Sequence, residues 1–132
     1  MPGEFVDSNV ILYLTSHDEG KIAIAEKVLA ARPTISVQVL NEITNVLRRK
    51  FGQGWREVRA FLDRIELLVE VRDLMRDTHR AALIIAERYR TNWWDALIIA
   101  AALEADCTIL LSEDLQAGLK IDARLTVVNP FI

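Results

Sequence analysis

The stretch NWWDALIIAAALEADCTILLSEDL, residues 92–115, decides the fold. From Ala96 to Leu103 it carries no polar side chain, and a helix that is apolar around its whole circumference must be enclosed on every side. Behind the turn residues Ala105 and Asp106 comes Ile109 to Leu111, a short unbroken apolar run of the kind that forms a strand covered on both faces. A central helix and a buried parallel strand are therefore expected. Asp95 enters that helix in its first turn and Asp114 comes shortly after that strand, so two acids stand at the rim of a core.

Outward from this stretch, the chain alternates strand and helix. Glu4 to Val6 starts a strand that Asp7-Ser8-Asn9 ends before the apolar run Val10 to Leu14, and Asp7 or Ser8 can cap the helix that follows. A second helix spans about Gly20 to Ala31, with Ile22, Ala25, Val28 and Leu29 at helical spacing. Thr34 to Val37 reads as a strand, after which Ser36 can cap a helix through about Lys50. Val39, Leu40, Ile43, Val46 and Leu47 share one side of that helix, and Glu42 falls just beyond the edge marked by Val46.

Gly52 and Gly54 break the pattern before another helix from Trp55 to Ile65. Leu67 to Val71 is a strand candidate, and Asp77 to Tyr89 an amphipathic helix with Ala81, Ile84, Ile85 and Arg88 at roughly helical periods. After the opening stretch, a short helix ending at Gly118 and a strand from Leu125 to Val128 complete the chain. Strands alternating with helices point to an α/β domain whose central parallel sheet, of four to five strands, has helices on both faces.

Residues 1–132 fit one domain, long enough to close a hydrophobic core. A hydrophobic fraction of 52% with three prolines and five glycines excludes a disordered polymer. No apolar run is long enough to cross a bilayer, and the N-terminal MPGEFVDSNV lacks a basic region followed by an apolar segment, so no membrane association and a cytoplasmic location are expected. The single Cys107 cannot form an internal disulfide and reads as a small core residue. His17 and His79 are isolated surface residues by the same reasoning. Adjacent helical positions cannot both face inward, so one of Trp93 and Trp94 packs in the core while the other lies near the surface; base stacking by such a tryptophan is the alternative to packing.

Net charge is −3, which does not advertise nucleic-acid binding. Locally, Arg48, Arg49, Lys50, Arg56, Arg59 and Arg64 fall in one part of the chain and form either a basic surface or a solvated helix face.

The chemistry lies in four acids. In an open parallel sheet, ligands bind at the carboxyl ends of the strands near the reversal of strand order. Asp7 and Asp114 follow strands, Asp95 begins a helix and Glu42 lies about a turn inside another, so all four can face one crevice. Four carboxylates together repel unless protons or a metal neutralise them. The fitting guest is Mg²⁺ or Mn²⁺, hard ions that prefer oxygen ligands, lower the pKa of a bound water and stabilise charge on a phosphoryl group. Each acid also has a structural reading. Asp95 can complete the helix start at Asn92, Glu113 and Asp114 can do so after Ser112, and Glu42 can be solvated at a helix edge.

The segments DSNVILYL at 7–14, VLNEI at 39–43, WWDALIIAAAL at 93–103 and ILLSEDL at 109–115, in this order, resemble the PIN-domain nucleases, and among them the VapC-type toxins of toxin–antitoxin pairs. The resemblance implies a three-layer α/β/α fold and a metal-dependent endoribonuclease that hydrolyses RNA through a metal-activated water. It implies Asp7, Glu42, Asp95 and Asp114 as catalytic and metal-binding residues, supported by Ser8, Asn9 and Ser112, with RNA held by rim arginines such as Arg48 and Arg49. It further implies a homodimer silenced by a small cognate antitoxin. Ser8 stands where many relatives have Thr, and Trp94 where Tyr or Phe is usual. A housekeeping RNA-processing nuclease and a catalytically silent RNA- or partner-binding module are the alternatives. An aspartyl phosphatase needs a second Asp where Asn9 stands, and a receiver domain needs a lysine later than Lys120.

Overall fold

The order of the strands follows from where their apolar runs must be buried. The computed structural model describes residues 3–132. It has strands β1 (Glu4–Val6), β2 (Thr34–Ser36), β3 (Glu70–Arg72), β4 (Ile109–Leu111), β5 (Lys120–Ile121) and β6 (Leu125–Val128). The helices are α1 (Ser8–Leu12), α2 (Glu19–Ala30), α3 (Val37–Arg49), α4 (Trp55–Leu68), α5 (Arg76–Tyr89) and α6 (Trp93–Glu104). One sheet runs β3-β2-β1-β4-β6-β5. Its first five strands are mutually parallel, and the two-residue β5 adds an antiparallel edge on β6. The chain steps from β1 to β2 to β3 in one direction and returns past both to β4. Right-handed crossovers then put α1 to α4 on one face and α5 and α6 on the other, giving three layers. The packing agrees: α3 touches α1 and α4, and α5 packs on α6.

α6 is the enclosed helix its composition requires. Every residue from Ala96 to Ala102 is buried, and Asp106, in the left-handed region at φ 57°, turns the chain into β4. Phe5, Val6, Ile35, Leu110 and Val127 from the central strands join this core, with Ile43 and Leu47 from α3. Cys107 is buried as a small core residue, and His17 and His79 are exposed. No described helix is long and apolar enough to cross a membrane.

Several expected boundaries move. Leu67 and Leu68 finish α4 instead of starting a strand, leaving Leu67 largely exposed, because β3 is set by its register on β2, with Thr34 opposite Glu70 and Ile35 opposite Val71. No helix precedes Gly118. Its amide donates to Val127 O at 2.8 Å and Val127 N donates to Leu119 O at 2.9 Å, so the segment pairs with β6 through a turn, for which Gly118 supplies φ 86°. α1 is shorter than its apolar run, and Tyr13–Thr15 continues as a 3-10 turn. Ser36 occupies the N-cap of α3 by backbone geometry alone, and its buried hydroxyl has no partner. On α5 the inward face is Thr78, Ala82 and Ile85, and Ile84 points outward.

Candidate active site

Asp7 leaves β1 and Ser112 leaves β4, the adjacent central strands between which the direction of the sheet connections reverses. This is the crevice where an open parallel sheet offers ligands a site. The Asp7 amide donates to Leu111 O at 2.9 Å, so the two strand ends are stitched together. The Asp7 side chain is 4% exposed and fully engaged. One oxygen accepts from Ser8 N at 2.7 Å, which caps α1. The other accepts from Ser112 Oγ at 2.9 Å and from Asn9 Nδ2 at 3.2 Å.

The neighbouring polar groups are used in full. Ser112 Oγ donates to Asp7 and accepts from Asn9 Nδ2 at 3.3 Å and Leu115 N at 3.2 Å. Asn9 Oδ1 accepts from Glu113 N at 3.0 Å, which ties the loop carrying Asp114 to α1. Ser8 Oγ donates to Glu42 at 2.9 Å, bridging the first acid to the second. Gln38, buried one turn earlier on α3, donates to the other Glu42 oxygen at 3.3 Å. Asp95 sits in the first turn of α6, where Asn92 caps its backbone at 2.9 Å and donates to its carboxylate at 2.9 Å. Glu113 faces away from Asp114's neighbours, taking bonds from the Tyr13 hydroxyl and, at 3.1 Å, from Lys21.

Asp7, Glu42, Asp95 and Asp114 all line one cavity of about 590 Å³. Its other described walls are Ser8, Asn9, Gln38, Asn41, Asn45, Val46 and Trp94, so four acids share it with no lysine, arginine or histidine. Burial pushes the Asp7 carboxyl up from its usual 3.8 to about 7, opposed by the Ser112 bond and reinforced by the charge of Glu42. Burial likewise raises Glu42, against its bonds from Ser8 and Gln38 and with the charges of Asp95 and Asp114. Asp95 is raised by burial and by Asp114. Among the described residues no three acids stand close enough to form a ready-made ligand set; the four occupy the walls around a shared space. The donor chemistry fits a hard divalent cation: all oxygen, mutually repelling, with no internal counter-charge.

The structural readings of Asp7 and Asp95 hold as well, since both take part in helix starts while facing the cavity. Ser8 hydrogen-bonds Glu42, and Asn9 and Ser112 hydrogen-bond Asp7. Arg48 and Arg49 do not line the cavity. The Arg48 guanidinium stacks 4.2 Å from the centre of the Trp55 ring and donates to Gln53 O at 2.9 Å, bracing the bend between α3 and α4. Arg49 is exposed, seven positions beyond Glu42 on the same helical side. Sequence reasoning passed over Gln38, Asn41 and Asn45, although their spacing of three and four places them on one stripe with Glu42.

Among solved structures, the chain is similar to VapC20 of Mycobacterium tuberculosis, described as a sarcin-ricin loop cleaving toxin. Identity is 22% over 84% of this chain and 89% of that one, with a TM-score of 0.68. It is similar to a toxin–antitoxin complex from Klebsiella pneumoniae, 22% identical over 96% of this chain and 97% of that one, TM-score 0.69. VapBC2 from Rickettsia felis, solved bound to a DNA fragment from its promoter, is 16% identical over 94% and 96%, TM-score 0.69. No curated protein sequence matches. At these identities the likeness establishes the shared fold. The family model of the PIN domain matches residues 5–118, which contain all four acids, and the chain belongs to the PIN-domain family.

Proposed function

We propose that this chain is a divalent-metal-dependent endoribonuclease that acts as the toxin of a toxin–antitoxin pair. The observation that carries the reading is the lining of a single cavity by Asp7, Glu42, Asp95 and Asp114 with no basic residue among the described residues that line it. Asp7, Asp95 and Asp114 would hold Mg²⁺ or Mn²⁺, with Glu42 binding the ion or orienting the attacking water. When bound, the cation supplies charge neutralisation for the phosphate and a lowered pKa for water.

The chain's own residues prepare the rest. Ser112 and Asn9 fix one Asp7 oxygen and Ser8 N fixes the other, so the carboxylate is held in one rotamer before substrate arrives. Ser8 and Gln38 hold Glu42 from both oxygens. Asp95 is carried by the most deeply enclosed helix of the fold, which denies it backbone freedom. Asp114 hangs on a loop tethered through Glu113 and Leu115 to Asn9 and Ser112.

The toxin reading draws on the likeness to solved toxins and toxin–antitoxin complexes. Its partners would be RNA, a small cognate antitoxin and a second copy of the chain, in the cytoplasm. Incubation of the protein with RNA and Mg²⁺ tests the enzyme: the parent should cleave and Asp7→Asn should not, whereas RNA binding with no cleavage by either points to a silent module. Growth arrest on expression, with a small partner gene immediately adjacent, separates a toxin from a housekeeping nuclease.

A further inference from the structure

Trp94 is the one aromatic among the described residues lining the acidic cavity, and it is 58% exposed. Its neighbour Trp93 has the opposite fate, half-buried against the core with its ring 5.1 Å from that of His79. One step along a helix turns a side chain by about 100°, so packing Trp93 inward leaves Trp94 standing beside Asp95 at the mouth of the cavity. An indole there presents a large apolar face to water among acids and amides, and gains on being covered.

The α3 wall of the same cavity offers the complementary chemistry. Gln38 is spent on Glu42, but Asn41 and Asn45 are exposed on the same stripe. Each amide brings two donors and an acceptor, the mixture that reads the edge of a nucleobase. A phosphate has no use for the indole face and a ribose offers it only a few C–H groups, whereas a base uses both features, stacking on the ring and turning its edge to the amides. Bases inside a duplex hide both face and pairing edge, so only an unpaired nucleotide can enter.

We propose that Trp94, with Asn41 and Asn45, forms a pocket for an unpaired base next to the scissile phosphate, which makes these three residues the determinants of which nucleotide flanks the cut. The inference rests on the nuclease reading. The test compares the parent, Trp94→Ala, Trp94→Phe and the double variant Asn41→Ala/Asn45→Ala in Mg²⁺. The substrates are a single-stranded RNA of about 20 nucleotides, the same strand with abasic riboses beside the mapped cut, and its duplex.

Trp94→Ala should lower kcat/KM on the intact strand about tenfold, the scale of one lost stack, and leave the slow cleavage of the abasic strand unchanged. Trp94→Phe should stay within about threefold of the parent, and the double asparagine variant should shift which nucleotide flanks the cut. The duplex should be cleaved poorly by all. Because the ring is exposed, melting temperatures of the variants should match the parent. A parent that cleaves RNA while Trp94→Ala is unaffected, or loses equally on intact and abasic strands, overturns the base pocket but not the nuclease. A parent that cleaves no RNA overturns both.

Discussion

Replacing Asp7 with asparagine removes a charge that the fold buries without a cation beside it. Burial and the nearby Glu42 lift the Asp7 carboxyl from 3.8 to about 7, so between those values the folded chain holds a proton that the unfolded chain has released. Stability is then fully present below the unfolded value and falls as pH rises through the folded one, by about 1.4 kcal/mol per pH unit. Over this window the loss amounts to about 4 kcal/mol, a large part of the roughly 5–15 kcal/mol by which a typical domain is stable. Glu42 and Asp95, also raised, act with the same sign.

Asparagine is neutral throughout but has one acceptor oxygen where the carboxylate uses two, for Ser8 N and for Ser112 and Asn9, which costs about 1 kcal/mol. In metal-free buffer at pH 8, Asp7→Asn should therefore be more stable than the parent by about 3 kcal/mol, or about 10 °C in Tm, and the two should converge towards pH 4. Urea unfolding with a chelator present, repeated from pH 5 to 8, measures this directly. A parent whose unfolding free energy is flat across that range, or a variant weaker than the parent at pH 8, would refute the account of Asp7 as a buried, uncompensated acid.

Three further outcomes follow from the same geometry. Titrating Mn²⁺ at pH 8 should raise the parent's stability, by about 2.7 kcal/mol at a hundredfold excess over Kd, and leave Asp7→Asn unmoved in differential scanning calorimetry. Ser112→Ala strips a donor from Asp7 and an acceptor from both Asn9 and Leu115 N, so it should cost about 2 kcal/mol in urea unfolding and weaken Mn²⁺ binding measured by isothermal titration. Ile99→Ala empties part of a fully buried position on α6 and should cost about 2–5 kcal/mol, seen as a lower urea midpoint at unchanged slope.

The layers of the fold were legible because residues 96–103 of α6 and the three residues of β4 carry only apolar side chains and so must be enclosed. Three of the acids stood out because Asp7 and Asp114 follow strands and Asp95 starts a helix, while Glu42 stood out as a carboxylate at the edge of the apolar face of α3. What escaped is decided at longer range. The apolar run at 67–71 satisfies a strand and a helix equally, and only the register of β3 against Thr34–Ser36 ends α4 at Leu68. The missing helix before Gly118 reflects hydrogen bonds to β6, a partner distant in space until the sheet closes. Arg48 and Arg49 look equivalent in sequence, but the position of Trp55 after the Gly52–Gly54 bend turns Arg48 into a brace and leaves Arg49 exposed. The asparagines of α3 fell from view because a polar stripe opposite an apolar one looks like ordinary solvated surface.

The two rims of the sheet constrain how this domain can assemble. On one, β3 shows Glu70 and Arg72, both exposed, along only three residues; on the other, β5 is two residues long and runs against its neighbour. An incoming strand finds charge at the first and almost no length at the second, so ribbon-like extension from chain to chain is discouraged. Whatever binds this domain, another copy included, must approach over its helices or at the mouth of the crevice.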